Sequence, residues 1–286
     1  MLVLPNAWDV ASAAMPADAG FAAIGTTSLG VAATAGIPDA AGLARAETPA
    51  VAARVVRLGP PVTVDVEGGF SEDPGEVADL VVRLAKLGVA GVDVEDGRPG
   101  GVLASRSHQC AVIAAIRSRA PGVFVNARTD AHWLGGRPDP AAALDRIRAY
   151  ADAGADGAFV PGPADDAGIA EVAAATPLPV NVLFDPARHT VDRLAGSAPA
   201  PHCCGRRWAR RSARRRRSGA GSRCGEPVRG AGADGRYAGV PRGPGDAHRV
   251  PPQQDLAISC QLCCPELYKE VSPCSSTPWA DSAGKE

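Results

Sequence analysis

No run of apolar residues in this 286-residue chain approaches the roughly 20 needed to cross a bilayer as a helix. The N-terminus also lacks a charged stretch followed by an apolar core and a cleavage site, so the expected location is cytoplasmic. Charge of one sign is not in excess either: 30 Lys and Arg stand against 31 Asp and Glu. That balance implies no global attraction to nucleic acid or to a membrane surface. The first 195 residues hold one cysteine, Cys110, and no G-x-G-x-x-G follows the first strand to suggest a dinucleotide site.

What is present changes character near residue 196. Before it the chain is rich in Ala, Val, Gly and Asp. After it come Cys203, Cys204, Cys224, Cys260, Cys263, Cys264 and Cys274, together with a run from Arg206 to Arg217 that holds eight arginines and one tryptophan. The expected organisation is therefore a domain over 1–196 and an Arg/Gly/Pro/Cys-rich tail over 197–286.

Before the seam a single phrase recurs, a helix closing on Gly and an apolar strand following at once. It occurs at Gly20 before Phe21–Gly25, at Gly88 before Val89–Asp93, and at Gly154 before Ala155–Val160. Glycine takes the left-handed cap conformation cheaply, and so short a join belongs to a parallel sheet. Further strands are expected at Leu2–Leu4, Val62–Val66, Val123–Ala127 and Pro179–Leu183, and helices at Gly75–Leu87, Ser107–Arg119 and Asp139–Ala153. Pro74 and Pro140 stand where a first helical turn accepts proline. Seven strands by residue 183 point to a (β/α)8 TIM-type barrel that lacks its eighth β/α unit. A doubly wound sheet is the alternative.

Two acidic strand ends carry the chemistry. In Val62–Phe70 and Gly91–Gly97, alternation puts Asp65 and Glu67 on one face, and Asp93 and Glu95 likewise. Carboxylate oxygens so gathered suit a hard cation, Mg2+ or Mn2+. In a barrel the active site lies at the C-terminal strand ends, where the sequence also offers Gly25-Thr-Thr-Ser-Leu-Gly30, Asp96, Asn126, Arg128, Asp130 and Asn181. Backbone N–H groups of Thr27, Ser28 and Leu29 can cradle a carboxylate or oxyanion. Blander uses stand beside these: Arg128 as a neutraliser of Asp130 or Glu95, Thr26 to Ser28 as helix caps, His132 and Trp133 as loop packing, and Cys110 as core.

Taken together the motifs resemble the isocitrate lyase/phosphoenolpyruvate mutase superfamily, especially its phosphonomutase-like branch. The matching stretches are Leu4–Asp9, Gly25–Gly30, Gly36–Asp39, Val64–Phe70, Val94–Asp96, Asn126–Asp130, Gly154–Gly162 and Pro177–Val182, in order across residues 1 to about 195. The resemblance implies a Mg2+-dependent (or Mn2+-dependent) enzyme that forms or breaks a C–C or P–C bond next to a 2-oxo acid through an enolate-type intermediate. It also implies a small anionic 2-oxo acid or phosphonate as substrate, and a homotetramer. Carried over by position, Asp65 is the direct metal ligand, with Glu67, Glu95 and Asp39 holding the metal directly or through water. Arg128, Asp39 and Ser28 take catalytic positions, and Thr27, Ser28, Leu29, Arg128 and Asn181 contact substrate.

Two departures stand out. Lyase members carry a Lys-Lys-Cys-Gly-His-Arg loop after the fourth strand, whose cysteine is the acid/base; here the chain reads Gly97-Arg-Pro-Gly-Gly-Val102. The family's eighth strand and helix are expected after Val191–Gly196, where the Arg-rich tail begins instead. That composition matches a translational frameshift in a GC-rich gene, or a disordered tail. A nucleic-acid-binding segment is a further alternative, as is a catalytically dead, truncated barrel. The tail holds one C-x-x-C, Cys260 to Cys263, without a well-spaced partner pair for a zinc site.

Overall fold

A computed structural model describes residues 2–132, 134, 139–162, 165–185, 187–196 and 256–260. The Arg206–Arg217 run, Trp133 and Cys263 lie outside the described residues.

Strands and helices alternate from the start. In chain order they are β1 (Leu2–Ala7), α1 (Val10–Asp18), β2 (Ile24–Thr26), α2 (Ser28–Thr34), α3 (Glu47–Val55), β3 (Val62–Asp65), α4 (Pro74–Leu87) and β4 (Gly91–Glu95). A two-stranded hairpin follows, β5 (Gly97–Arg98) and β6 (Val102–Leu103), then α5 (Arg106–Arg119), β7 (Phe124–Arg128), α6 (Pro140–Asp152), β8 (Gly157–Phe159), α7 (Asp166–Ala174), β9 (Val180–Leu183) and α8 (Val191–Gly196). One more strand, β10 (Leu256–Cys260), comes from the tail.

The local signals act as expected. Pro74 and Pro140 open α4 and α6 behind the capping carboxylates of Asp73 and Asp139, and Gly88 closes α4 in the left-handed conformation at φ 100°. Helix α4 turns Val77, Leu80, Val81 and Leu84 inward, where they are buried with Val64 and Val92 of the sheet and Val112, Ile113 and Ile116 of α5. The outer, helix-covered face of the parallel sheet is therefore apolar.

The barrel strands run parallel in the order β1, β10, β9, β8, β7, β4, β3, β2 and close on themselves. Residues 2–183 alone supply the incomplete, seven-stranded α/β barrel that the periodicity predicts. Its eighth strand place is taken by β10 from the tail. Leu256 to Ser259 pair in register with Val180 to Leu183 of β9, while Leu2 to Pro5 of β1 pair with Ala257 to Cys260 on the other side. The physical reason is the gap itself. Two unpaired edges present rows of N–H and C=O groups, and Leu256-Ala-Ile-Ser-Cys260 is a short run in the tail with apolar and β-branched character suited to a strand. The expected loop after β4 is likewise structured, as the β5–β6 hairpin. Among the described residues no helix is long and apolar enough to cross a membrane.

Candidate active site

Strand register stacks the polar residues in two tiers at the carboxyl end of the barrel. Asp65 of β3 lies level with Asp93 of β4, which lies level with Asn126 of β7. One pleat further on, Glu95 is level with Arg128, Arg128 with Phe159 of β8, and Phe159 with Asn181 of β9. Asp65 and Asp93 of the lower tier, with Asn6, Thr26 and Thr63, line a void of about 10 Å³, room for about one water. Above it opens a cleft of about 320 Å³ whose walls include Ser28, Leu29, Asp39, Glu95, Arg128 and Asp130. A larger cavity of about 420 Å³ lies beside α6 and α7 around His132 and Arg188, but it contains none of the clustered acids.

Asp65 is held by three hydrogen bonds. Its Oδ2 accepts hydrogen bonds from the Ser28 N–H at 3.1 Å and the Ser28 hydroxyl at 2.7 Å, and its Oδ1 accepts the Glu67 N–H at 3.0 Å. The last bond helps to hold Glu67 in the left-handed region, at φ 48°. For a residue with a Cβ that costs about 1–2 kcal/mol, and such strain clusters at functional sites. Glu67 in turn accepts the Gly42 N–H at 3.0 Å, and its carbonyl accepts the Glu95 N–H at 3.0 Å. The two acid-bearing strand ends are thus stitched together by backbone.

Arg128 sits between the remaining acids. It lies 2.8 Å from Glu95 Oε2, donates from Nε to Asp130 Oδ1 at 2.7 Å, and carries its guanidinium over the Phe159 ring at 5.6 Å. The neutralising role foreseen for it is present, and it also faces the cleft. One guanidinium among Asp65, Asp93, Glu95 and Asp130 leaves the site short of positive charge. Burial pushes the Asp93 carboxyl up to about 8, with repulsion from Asp65 adding to it and Arg128 opposing. Burial likewise drives Glu95 well above the usual carboxylate range, and raises Asp130 and Glu67.

The other expected residues scatter. Leu29 and the exposed Asp39 stand at the cleft mouth. Thr27 occupies the N-cap position of α2 but makes no side-chain capping bond there, and Ser28 gives its donors to Asp65. Asn181 is buried at the level of Phe159, and its Oδ1 accepts no hydrogen bond among the described residues. Asp96, which the sequence grouped with the site acids, turns away. Fully buried, it accepts hydrogen bonds from the Thr129 hydroxyl, the Tyr150 hydroxyl, Arg146 and the Asp130 N–H, all within 2.9 Å. It is a scaffold for the β7 end. His132 packs its ring on the backbone of Gly162, where a Cβ would fall 2.5 Å from the ring's Cδ2. Cys110 is partly buried against the core as expected.

Whether a cation fits can be judged from the donors. They are all oxygens, they are carboxyl groups crowded together, and Glu95 Oε2 accepts no hydrogen bond among the described residues despite its ion pair. In chemistry the set suits Mg2+ or Mn2+. Among the described residues no three His, Cys, Asp or Glu groups already converge as a cage.

The sequence profile of the phosphoenolpyruvate phosphomutase family matches residues 1–210, and the chain belongs to that family. An uncharacterized protein of Mycobacterium tuberculosis is 44% identical over 181 residues, which cover 63% of this chain and 69% of that protein. The 2-methylisocitrate lyase of Bacillus subtilis is 32% identical over 168 residues, covering 56% of this chain and 54% of the lyase. The chain thus spans about half the length of that lyase. Among solved structures, the phosphoenolpyruvate phosphomutase from Streptomyces platensis subsp. rosaceus superposes with a TM-score of 0.63 at 28% identity, covering 69% of this chain and 74% of that one. Its relatives are therefore lyases and phosphonomutases of the isocitrate lyase/phosphoenolpyruvate mutase superfamily.

Proposed function

We propose that this chain is a Mg2+- or Mn2+-dependent enzyme that forms or cleaves a C–C or P–C bond adjacent to the keto group of a small 2-oxo acid or phosphonate. The observation that carries this reading is the crowding of four carboxyl groups around Arg128 at the barrel rim, beside an open cleft. A divalent cation bound there supplies Lewis-acid polarisation of keto and carboxylate oxygens, worth several kcal/mol in the transition state.

The chain's own residues supply the rest. Asp65, Glu67 and Glu95 would hold the cation, directly or through water. Arg128 would present its planar fork to the substrate carboxylate. The backbone of Ser28 and Leu29 lines the substrate side of the cleft, and Asn181 and Thr27 complete the contact set. Asp39 is the solvent-facing carboxylate at the mouth, suited to exchanging a proton with water. Hairpin β5–β6 brings no cysteine, so the proton traffic of the cysteine-bearing lyases has no counterpart there.

The test is calorimetric titration of Mg2+ and Mn2+ into the wild-type chain and Asp65→Ala. Binding to the first and none to the second, with unchanged far-UV circular dichroism, supports the reading; equal affinity in both removes it. Phosphorus and proton NMR with phosphonopyruvate and a panel of 2-oxo acids then identifies the bond that changes.

A further inference from the structure

The hairpin after β4 carries a cation that stands outside the acidic cluster. Arg98 is charged, yet its side chain is only 10% exposed. Nη1 donates to the carbonyls of Glu95 at 3.0 Å and Gly97 at 2.9 Å, Nε donates to Glu72 Oε1 at 3.1 Å, and Nη2 reaches Gln109 Oε1 at 3.4 Å. The guanidinium lies flat on Gly68. A Cβ at that position would stand 2.7 Å from Arg98 Cζ and nearer still to Nη1. Any larger residue there would push the Arg98 guanidinium off its present seat.

These contacts place one rigid fork across two loops. Gly68 follows Glu67 on the β3 loop, and Glu72 lies a few residues on; Glu95 and Gly97 belong to the end of β4 and the hairpin; Gln109 anchors the far side on α5. We infer that Arg98 is a positioning residue, a cross-brace that sets the distance between the Glu67 and Glu95 carboxylates by clamping the backbones that carry them. The inference rests on the proposed cation site for its consequence, though not for its geometry. The Glu67 backbone is already in the left-handed region, so it needs outside support. Asp65, the Glu95 N–H, the Gly42 N–H and the Val66–Gly69 turn bond give part of that support, and the surface Arg98 lays over Gly68 adds to it. Fixing a ligand pair from outside is what groups around a metal site do, and losing one typically weakens metal binding 10- to 100-fold. A lysine keeps the charge but cannot span the two carbonyls, Glu72 and Gln109 together.

The experiment uses the full chain and Mn2+ as probe. Mn2+ affinity is read by electron paramagnetic resonance, and backbone exchange over residues 66–70 and 95–98 by hydrogen–deuterium mass spectrometry. The variants are Arg98→Ala, the milder Arg98→Lys and, as a control, Arg117→Ala, which breaks a brace to Asp156 away from the acidic rim. The expected result is Mn2+ binding weakened at least tenfold in both Arg98 variants, with faster exchange in both loops. Arg117→Ala should lower the melting temperature and leave Mn2+ affinity unchanged. Should Arg98→Ala not fold, Arg98→Lys decides. Wild-type affinity in a folded Arg98 variant, or equal weakening in Arg117→Ala, overturns the inference. If the wild-type chain itself binds no Mn2+, the proposed cation site fails, and the brace is judged by exchange alone. Protection unchanged from wild type then overturns it, and loss of protection in both loops upholds it.

Discussion

Asp93 offers the sharpest quantitative test of the electrostatics. Its carboxyl is level with Asp65, accepts a hydrogen bond from Asn126 Nδ2 at 3.1 Å, and is raised from 3.8 to about 8 by burial and then by Asp65. A carboxyl raised on folding favours its protonated form. Its contribution to stability is therefore fully present below pH 4, the unfolded value, and is lost as pH rises through the folded value near 8. Asp93→Asn keeps the shape and can still accept from Asn126, but it has nothing to ionise. At about 1.4 kcal/mol per pH unit the full shift corresponds to roughly 6 kcal/mol, an upper figure once water and neighbouring groups relax. In metal-free buffer, Asp93→Asn should leave stability near wild type at pH 4.5 and exceed it by about 2–4 kcal/mol at pH 8. Urea unfolding at the two pH values measures the difference directly. An equal effect at both would refute the reasoning, because it would mean that Asp93 titrates alike in the folded and unfolded chains.

Two further outcomes follow from the geometry. Arg128→Lys keeps a positive charge but loses the fork that reaches both Glu95 and Asp130; steady-state assays on the active 2-oxo acid should show at least a tenfold loss in kcat/KM, and unchanged kinetics would leave Arg128 as a structural ion pair only. Ile258→Pro places proline in the strand between Val3 and Val182, removing a ladder donor from a central strand at a cost of about 2–3 kcal/mol. Calorimetry should show the melting temperature lower by roughly 5–10 °C, and an unaltered melt would mean that the tail strand does not help close the barrel.

Much of this molecule is legible without coordinates, because the signals involved are local. A glycine that must take a left-handed cap, a proline at a first helical turn, and apolar residues at helical or alternating spacing each act within a few residues, so the strands through Leu183 and helices α4, α5 and α6 were readable to within a few positions. The concentration of Asp65, Glu67, Glu95 and Arg128 at strand ends is equally local, and barrel topology then puts those ends on one rim. Which acids face the cleft is not local. Asp96 is adjacent to Glu95 in the chain, yet it points into a buried network on α6, because consecutive residues leave a strand in opposite directions and Tyr150 and Arg146 wait on that side. Arg98 gave no signal as a brace, since its partners lie on three other segments and meet only over Gly68. The tail strand was hidden for the same reason: five residues of modest β character have no strong preference of their own. Their conformation is decided by two distant edges whose unmade hydrogen bonds they complete.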